Sequence, residues 1–331
     1  MIGTAHSQIS ILDGALNNRK KRCRTDKLLK KINEFVNWNN LVDICKVVYK
    51  DSKRGRPSTP IEFSIKSLFL QYLYNLSDPA LEDALIDRFS FQKFLGISFD
   101  TEIPDFSTIW RFRERLIIAN IFDELFKVIL SDLEERGLLL RRGTLIDATI
   151  VQGARKPHTK DNNEKGEQSP RSKSQRDSDA NFTKKGKKTF HGYKGHIGVD
   201  EGSGIIRKKA YTPASVHDSQ KTDELISGDE KSVFADKAYT SDERKREMRQ
   251  QGIYFGILDK GRRNRPLSNR QKRLNRKKSK IRNAVERPFA HFKHLYGYRR
   301  TRYVKIDRND LHFTFLCMIH NIRRGIALSV A

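Results

Sequence analysis

The chain has 331 residues, 66 of them Lys or Arg against 40 Asp or Glu, giving a formal net charge of +26 and a pI near 10.0. With 37% apolar residues, 19 Phe and 10 Tyr it can build real cores, so wholesale disorder and a fibrous chain are excluded, and its length suggests about two domains. There is no run of about 18 apolar residues, no charged-then-apolar leader in MIGTAHSQISILDG, and only three well-separated cysteines (Cys23, Cys45, Cys317); the expectation is an intracellular protein with no disulfide framework or zinc module.

In chain order, a modest helical pattern runs from Leu28 to Val48 and a loop follows at SKRGRPSTP. Ile61, Ile65, Leu68, Phe69, Tyr72, Leu73 and Leu76 recur at three- and four-residue spacing, which predicts a helix with one apolar face. Ser77-Asp78-Pro79 reads as the start of a second helix, a capping side chain ahead of a first-turn proline. It carries Leu81, Leu85 and Phe89 and is punctuated by Gly96. A third helix begins near Asp105 to Ser107 with Trp110, Phe112 and Leu116, and a fourth spans Ile121 to Arg136. Residues 1–140 therefore read as a helical domain; its short helices are compatible with DNA reading, and no one of them is singled out for it.

The pattern then changes. GTLIDATIV is short, β-branched and bounded by Gly143 and Gly153, so it reads as a strand. Among the 34 residues from 155 to 188 only Ala180 and Phe182 are apolar, which predicts a solvated, mobile loop. HGYKGHIGVD and GIIRKKAYT read as strands joined by the DEGSG turn. Asp218 to Ser227 reads as a short helix, SVFAD as a buried strand, Ser241 to Gln250 as a helix and GIYFGIL as a strand. Helices are expected at about Ile281 to Leu295 and Asn309 to Ile326. Residues 141–331 are thus an α/β domain with a mixed sheet and flanking helices.

The charge is concentrated. Eighteen Lys or Arg lie between Lys260 and Lys305, and Glu286 is the only carboxylate between Asp259 and Asp307. Such a surplus attracts polyanions, and release of counterions from phosphates makes nucleic acid the leading partner. Asp147 stands inside an apolar strand, where an isolated carboxylate would be costly. Asp236 ends a second apolar strand, at the end where ligands commonly bind in α/β sheets. Glu286 shares a helical face with Arg282 and Lys293 by spacing, although Pro288 suggests that the helix begins near Glu286. Singly, each acid has an ordinary use as a cap, a turn former or an ion-pair partner. Jointly they form a set of hard oxygen donors suited to Mg²⁺, two of which about 3.5–4 Å apart serve phosphodiester chemistry.

The segments LIDAT, GYKGHIGVDEGSG, TPASVHD and FADKAY, with Arg282-x₃-Glu286-x₆-Lys293 inside RNAVERPFAHFK, together resemble the DDE transposases of bacterial insertion sequences, in particular the insertion-sequence-five type. Upstream, LYNLSDPALEDALIDRFSFQKFLGI and DFSTIWRFRERL are similar to that family's N-terminal region, so the resemblance covers nearly the whole chain. It implies an RNase H-like catalytic domain over 141–331 and a DNA-binding helical domain over 1–140. It also implies a catalytic and metal-binding triad of Asp147, Asp236 and Glu286 using Mg²⁺, two ions with Mn²⁺ as a substitute. The implied reaction is cleavage at terminal inverted repeats and joining of the 3′ ends to target DNA, by a homodimer or larger synaptic assembly in the bacterial cytoplasm, at the nucleoid. One departure is Ser279, where related elements carry Tyr.

The DNA contacts expected are Arg282, Lys293, Lys277, Lys278 and Lys280. Tyr296 and Tyr298 stand as candidates for stacking on bases, whereas Phe289 and Phe292 are expected to pack the helix on the sheet. His191, His196 and His217 lack accompanying cysteines and are not expected to bind zinc. The competing readings are a DNA-binding remnant or regulator without catalysis, and a stand-alone nuclease on the same fold.

Overall fold

The computed structural model describes residues 23–49, 58–98, 100–155, 177–261 and 266–330. The chain divides into two compact units, Met1–Arg136 with Thr314–Ala331, and Gly137–Phe313. No described helix is long and apolar enough to cross a membrane.

The first unit is helical: α1 (Arg24–Phe35), α2 (Trp38–Cys45), α3 (Ile61–Leu73), α4 (Asp78–Asp87), α5 (Phe89–Leu95), α6 (Phe106–Ala119) and α7 (Phe122–Glu135). The starts follow the capping chemistry. Ser77 accepts from the Ala80 N–H and Asp105 from the Ser107 N–H, satisfying first-turn donors that have no helical partner. Gly96 ends α5 at φ +71°, a conformation open to glycine without penalty. Where one apolar face was expected, α3 is buried all round, and its Lys66 and Gln71 side chains are paired. Lys66 meets Glu62 at 2.7 Å beneath the Trp38 ring, and Gln71 joins the Arg113–Asp78 ion pair.

The second unit holds a six-stranded mixed sheet: β1 (Thr144–Gln152), β2 (Asn181–Lys185), β3 (Lys188–Asp200), β4 (Ile206–Pro213), β5 (Ser232–Phe234) and β6 (Tyr254–Phe255), in the order β2-β3-β1-β5-β6 with β4 also on β3. β1 runs antiparallel to β3 and parallel to β5, and β5 is parallel to β6. Helix α8 (Asp242–Gln250), capped by Ser241, packs on one face around Ile146, Val233, Tyr239, Met248 and Ile257. On another part of the sheet Tyr211, Phe292, Tyr298 and Phe313 interlock. A Cβ at Gly195 would come within 2.6 Å of the Phe313 ring, so only glycine lets that ring sit down on β3.

Helix α9 (Asn269–Arg282), a 3₁₀ turn (Asn283–Val285), α10 (Glu286–Ala290) and a π turn (His291–Leu295) follow one another without a break, and α11 (Ile306–Ser329) closes the chain.

Several expectations are corrected. The loop expected over 155–188 contains β2, because Asn181–Lys185 pairs with the start of β3; residues 156–176 lie outside the described residues. Asp218–Lys221 and Asp223–Leu225 form 3₁₀ turns rather than one helix. The expected boundaries also shift. From Thr314 onward α11 belongs to the helical unit, where Phe315 packs 5.2 Å from both Phe69 and Tyr72, so the sheet unit does not run to residue 331.

Candidate active site

The parallel register of β1 and β5 brings two carboxylates together. Thr144 pairs with Val233 and Leu145 with Phe234, where β5 ends. Carrying the register on by two residues sets Asp147 beside Asp236. Asp147 is half-buried; its Oδ1 accepts from the Ala148 N–H at 2.9 Å and its Oδ2 from Arg282 Nη1 at 3.2 Å. Asp236 caps the turn Lys237–Tyr239, accepting from the Lys237 N–H at 2.7 Å.

Glu286 is delivered by the helical run. Pro288 has no N–H to give the Ala284 carbonyl and its ring crowds that position, so the run tightens into the 3₁₀ turn just before Glu286 instead of starting there. Arg282 and Glu286 therefore keep one face, and Arg282 Nη2 reaches Glu286 Oε1 at 3.5 Å. One guanidinium spans two carboxylates. Burial pushes the Asp147 carboxyl above its ordinary range, Arg282 and the Ala148 N–H pull it down, and the charges of Asp236 and Glu286 push it up again.

Behind the pair, Tyr239 is fully buried and its hydroxyl has no hydrogen-bond partner among the described residues. Burial and the nearby Asp218, Asp147 and Asp236 charges raise that phenol strongly. Lys293, on the π turn, has its ammonium disfavoured by burial and by Lys185 and Arg299, with Asp147 the opposing charge.

Among the described residues no group of three or more His, Cys, Asp or Glu is gathered as for a metal ion. Arg282 bonds to both Asp147 and Glu286 at this site. The donor chemistry nonetheless fits a hard divalent cation. Asp236 and Glu286 both bear on Asp147, which carries an electrostatic cost that a second cation would relieve. The histidines lie elsewhere in the bonding scheme: His196 Nε2 pairs with Thr212 Oγ1, His217 Nδ1 with Ser219 Oγ, and His191 packs on Phe182.

A family model described as "Transposase DDE domain" matches residues 139–322, more than half of the chain, and one described as "Transposase domain (DUF772)" matches residues 17–115. The chain belongs to the DDE transposase family. The second unit of this transposase has the mixed sheet with flanking helices that was expected. A solved structure, the cryo-EM structure of a piggyBac transposase synaptic complex with hairpin DNA, is similar over 92% of this chain and 74% of that one, at 12% identity and a TM-score of 0.46.

The transposase's expected DNA contacts divide. Lys277 and Lys280 are exposed on α9, Arg282 bonds to Asp147 and Glu286, and Lys293 feels the charge of Asp147. Lys278 is corrected: it is buried, donates to the Ile257 carbonyl at 2.8 Å and lies 3.8 Å from Asp259, so it ties α9 to the segment after β6. Tyr296 and Tyr298 are corrected too. Both are 1% exposed, and Tyr298 donates to the Tyr211 hydroxyl, so neither offers a ring face to a base. Sequence reasoning passed over Tyr239, although it stands three residues after Asp236 in FADKAY.

Proposed function

We propose that this protein is the transposase of a bacterial insertion sequence, cutting DNA at the element's terminal inverted repeats and joining the freed 3′ ends to target DNA with Asp147, Asp236 and Glu286 as its catalytic set. The observation that carries the reading is that one guanidinium, Arg282, holds Asp147 of β1 and Glu286 of α10 while Asp236, at the end of β5, acts on Asp147 as a third charge, within a chain of net charge +26.

Asp147, Asp236 and Glu286 would hold Mg²⁺, two ions in all, with Mn²⁺ as substitute. Bound there, the metal supplies Lewis acidity at the phosphate and lowers the pKa of the attacking oxygen. The protein's own groups do the rest. In the first step the oxygen of water bonds to phosphorus and the P–O3′ bond breaks, leaving a 3′-hydroxyl. In the second, that hydroxyl oxygen bonds to a target phosphorus as it loses its proton, the target's own P–O3′ bond breaks, and the displaced 3′ oxygen leaves and takes up a proton as a 3′-hydroxyl, so one strand is joined. Arg282 fixes the orientation of Asp147 and Glu286, and Lys293 offers an ammonium to the non-bridging phosphate oxygens beside them. Lys277 and Lys280 hold the backbone further along α9. The helical unit grips the element ends, two of which must be held in a dimer or larger assembly in the bacterial cytoplasm.

The test is strand cleavage and strand transfer on an inverted-repeat duplex. Asp147→Ala, Asp236→Ala and Glu286→Ala each lower both reactions by more than about 100-fold while duplex binding stays within a few-fold. Mg²⁺ at a hundred times its Kd stabilises the unaltered protein by about 2.7 kcal/mol and leaves the Asp147→Ala protein unchanged. Cleavage that survives any one substitution overturns the assignment. Binding without nicking identifies a regulator, and nicking without joined product a nuclease.

A further inference from the structure

We propose that the hairpin formed by β2 and the start of β3 is a DNA-backbone grip on the flank of the active site, an inference that rests on the transposase reading above and adds a binding surface to it. The tip reads Lys184-Lys185-Gly186-Lys187-Lys188, with Gly186 at φ +62° making the turn, and all four lysines are exposed. None of them makes an ion pair with a described residue. Lys185 and Lys188 are direct partners in the antiparallel register, an arrangement of like charges that weakens a hairpin on its own. A strand pair that pays this cost while exposing four ammonium groups is shaped for a polyanion rather than for the sheet's own stability.

Placement gives the ligand its identity. β1, which bears Asp147, ends at Gln152 opposite Gly192, and its antiparallel neighbour β3 carries the hairpin on past that end. Lys185 acts electrostatically on Lys293, and so do Arg299 and Asp147, so the hairpin and the carboxylate bear on the same π-turn lysine. The exposed ring of Phe182, 4.8 Å from the His191 ring, adds an aromatic face beside the cations. Spaced ammonium groups leading to a carboxylate cluster match a strand of phosphates whose reacting member lies at Asp147. An isolated phosphate would need only one or two of them.

The experiment uses the full chain, a duplex of arbitrary sequence and EDTA, so that neither metal nor catalysis enters. Lys184, Lys185, Lys187 and Lys188 are changed together to Gln, and in a second protein together to Arg. For the Gln protein the slope of log K against log salt becomes shallower by about 0.9 for each phosphate no longer neutralised, roughly 2–4 in total; the Arg protein keeps the original slope. Unchanged slope in the Gln protein overturns the proposal. So does an equal drop in the Arg protein, which would trace the effect to a disturbed hairpin instead of charge. Weaker binding to phosphatidylserine vesicles with an unchanged DNA slope would assign the tip to a lipid surface and overturn it as well. Failure of the carboxylate assignment would appear as retained cleavage by Asp147→Ala and would leave these salt slopes untouched.

Discussion

Strand β1 carries a charged centre at each of two positions three residues apart, and they are built on opposite principles. At its start, Thr144 donates to Glu230, whose carboxylate also accepts from the Ser227 and Gly228 N–H groups, with Arg207 close by and paired in turn to Asp229. Glu230 is buried, and protein donors occupy three of its roughly four lone-pair positions. At Asp147 one backbone N–H and one shared guanidinium serve a carboxylate that two further acids oppose. The first centre closes the fold upon itself. The second keeps acceptor capacity in reserve, and a carboxylate with spare lone pairs in an under-neutralised cluster is where an outside cation gains most.

The sharpest way to break this comparison is to delete each acid in turn. Glu230→Ala strands three donors and removes counter-charge from the buried Arg207, an expected loss of about 3–5 kcal/mol in urea denaturation. Asp236→Ala, with one N–H partner at a turn, is expected to cost about 1 kcal/mol while abolishing cleavage. Similar stability losses for the two would show that the centres do not differ in kind.

His196, paired in register with Ala148 next to Asp147, sharpens it further by titration. Burial holds its imidazolium down to about 4 against 6.5 for a free histidine, with Asp218 opposing. Because the folded value lies below the unfolded one, the stability is present above about pH 6.5 and is lost as pH falls toward 4. The expected loss is about 3 kcal/mol across that window. Lys194, Lys221 and Glu224 also bear on the group and set the exact midpoint. His196→Gln is expected to flatten this part of the pH–stability curve, measured by urea titration at each pH; an unaltered slope would place the proton uptake elsewhere.

What could be read from the sequence follows from which forces act locally. The caps at Ser77, Asp105 and Ser241 and the strands around Asp147 and Asp236 were legible because capping and β-branched runs act over a few residues. α9 was not, because NRQKRLNRKKSKIR offers almost no apolar periodicity, Lys278 being its sole buried residue. A signal was present all the same: Ser268 and Gln271 form a capping box at its start. β2 was hidden for a related reason. Its exposed, lysine-rich sequence is held by backbone pairing to β3, and that pairing depends on a partner strand. The approach of Asp147 to Asp236 required the parallel register, a long-range fact that no spacing along the chain encodes. Arg282 and Glu286 at i and i+4 were readable as neighbours, but the guanidinium's second hold, on Asp147, was not.

The smallest effects expected separate lysines that look alike in sequence. Lys278 has its ammonium disfavoured by burial and partly restored by Asp259, and its hydrogen bond to the Ile257 carbonyl anchors α9. Lys278→Met keeps the stem's packing but strands that carbonyl, at an expected cost of about 1–2 kcal/mol with no change in the salt dependence of DNA binding. Lys277→Gln and Lys280→Gln, on the exposed side of the same helix, are expected to stay within about 0.5 kcal/mol of the unaltered stability. Each should make the slope of log K against log salt shallower by about 0.9. A Lys278→Met protein with a shallower salt slope would mean that the helix turns to present this residue to DNA, and the division of α9 into an anchoring side and a binding side would fall with it.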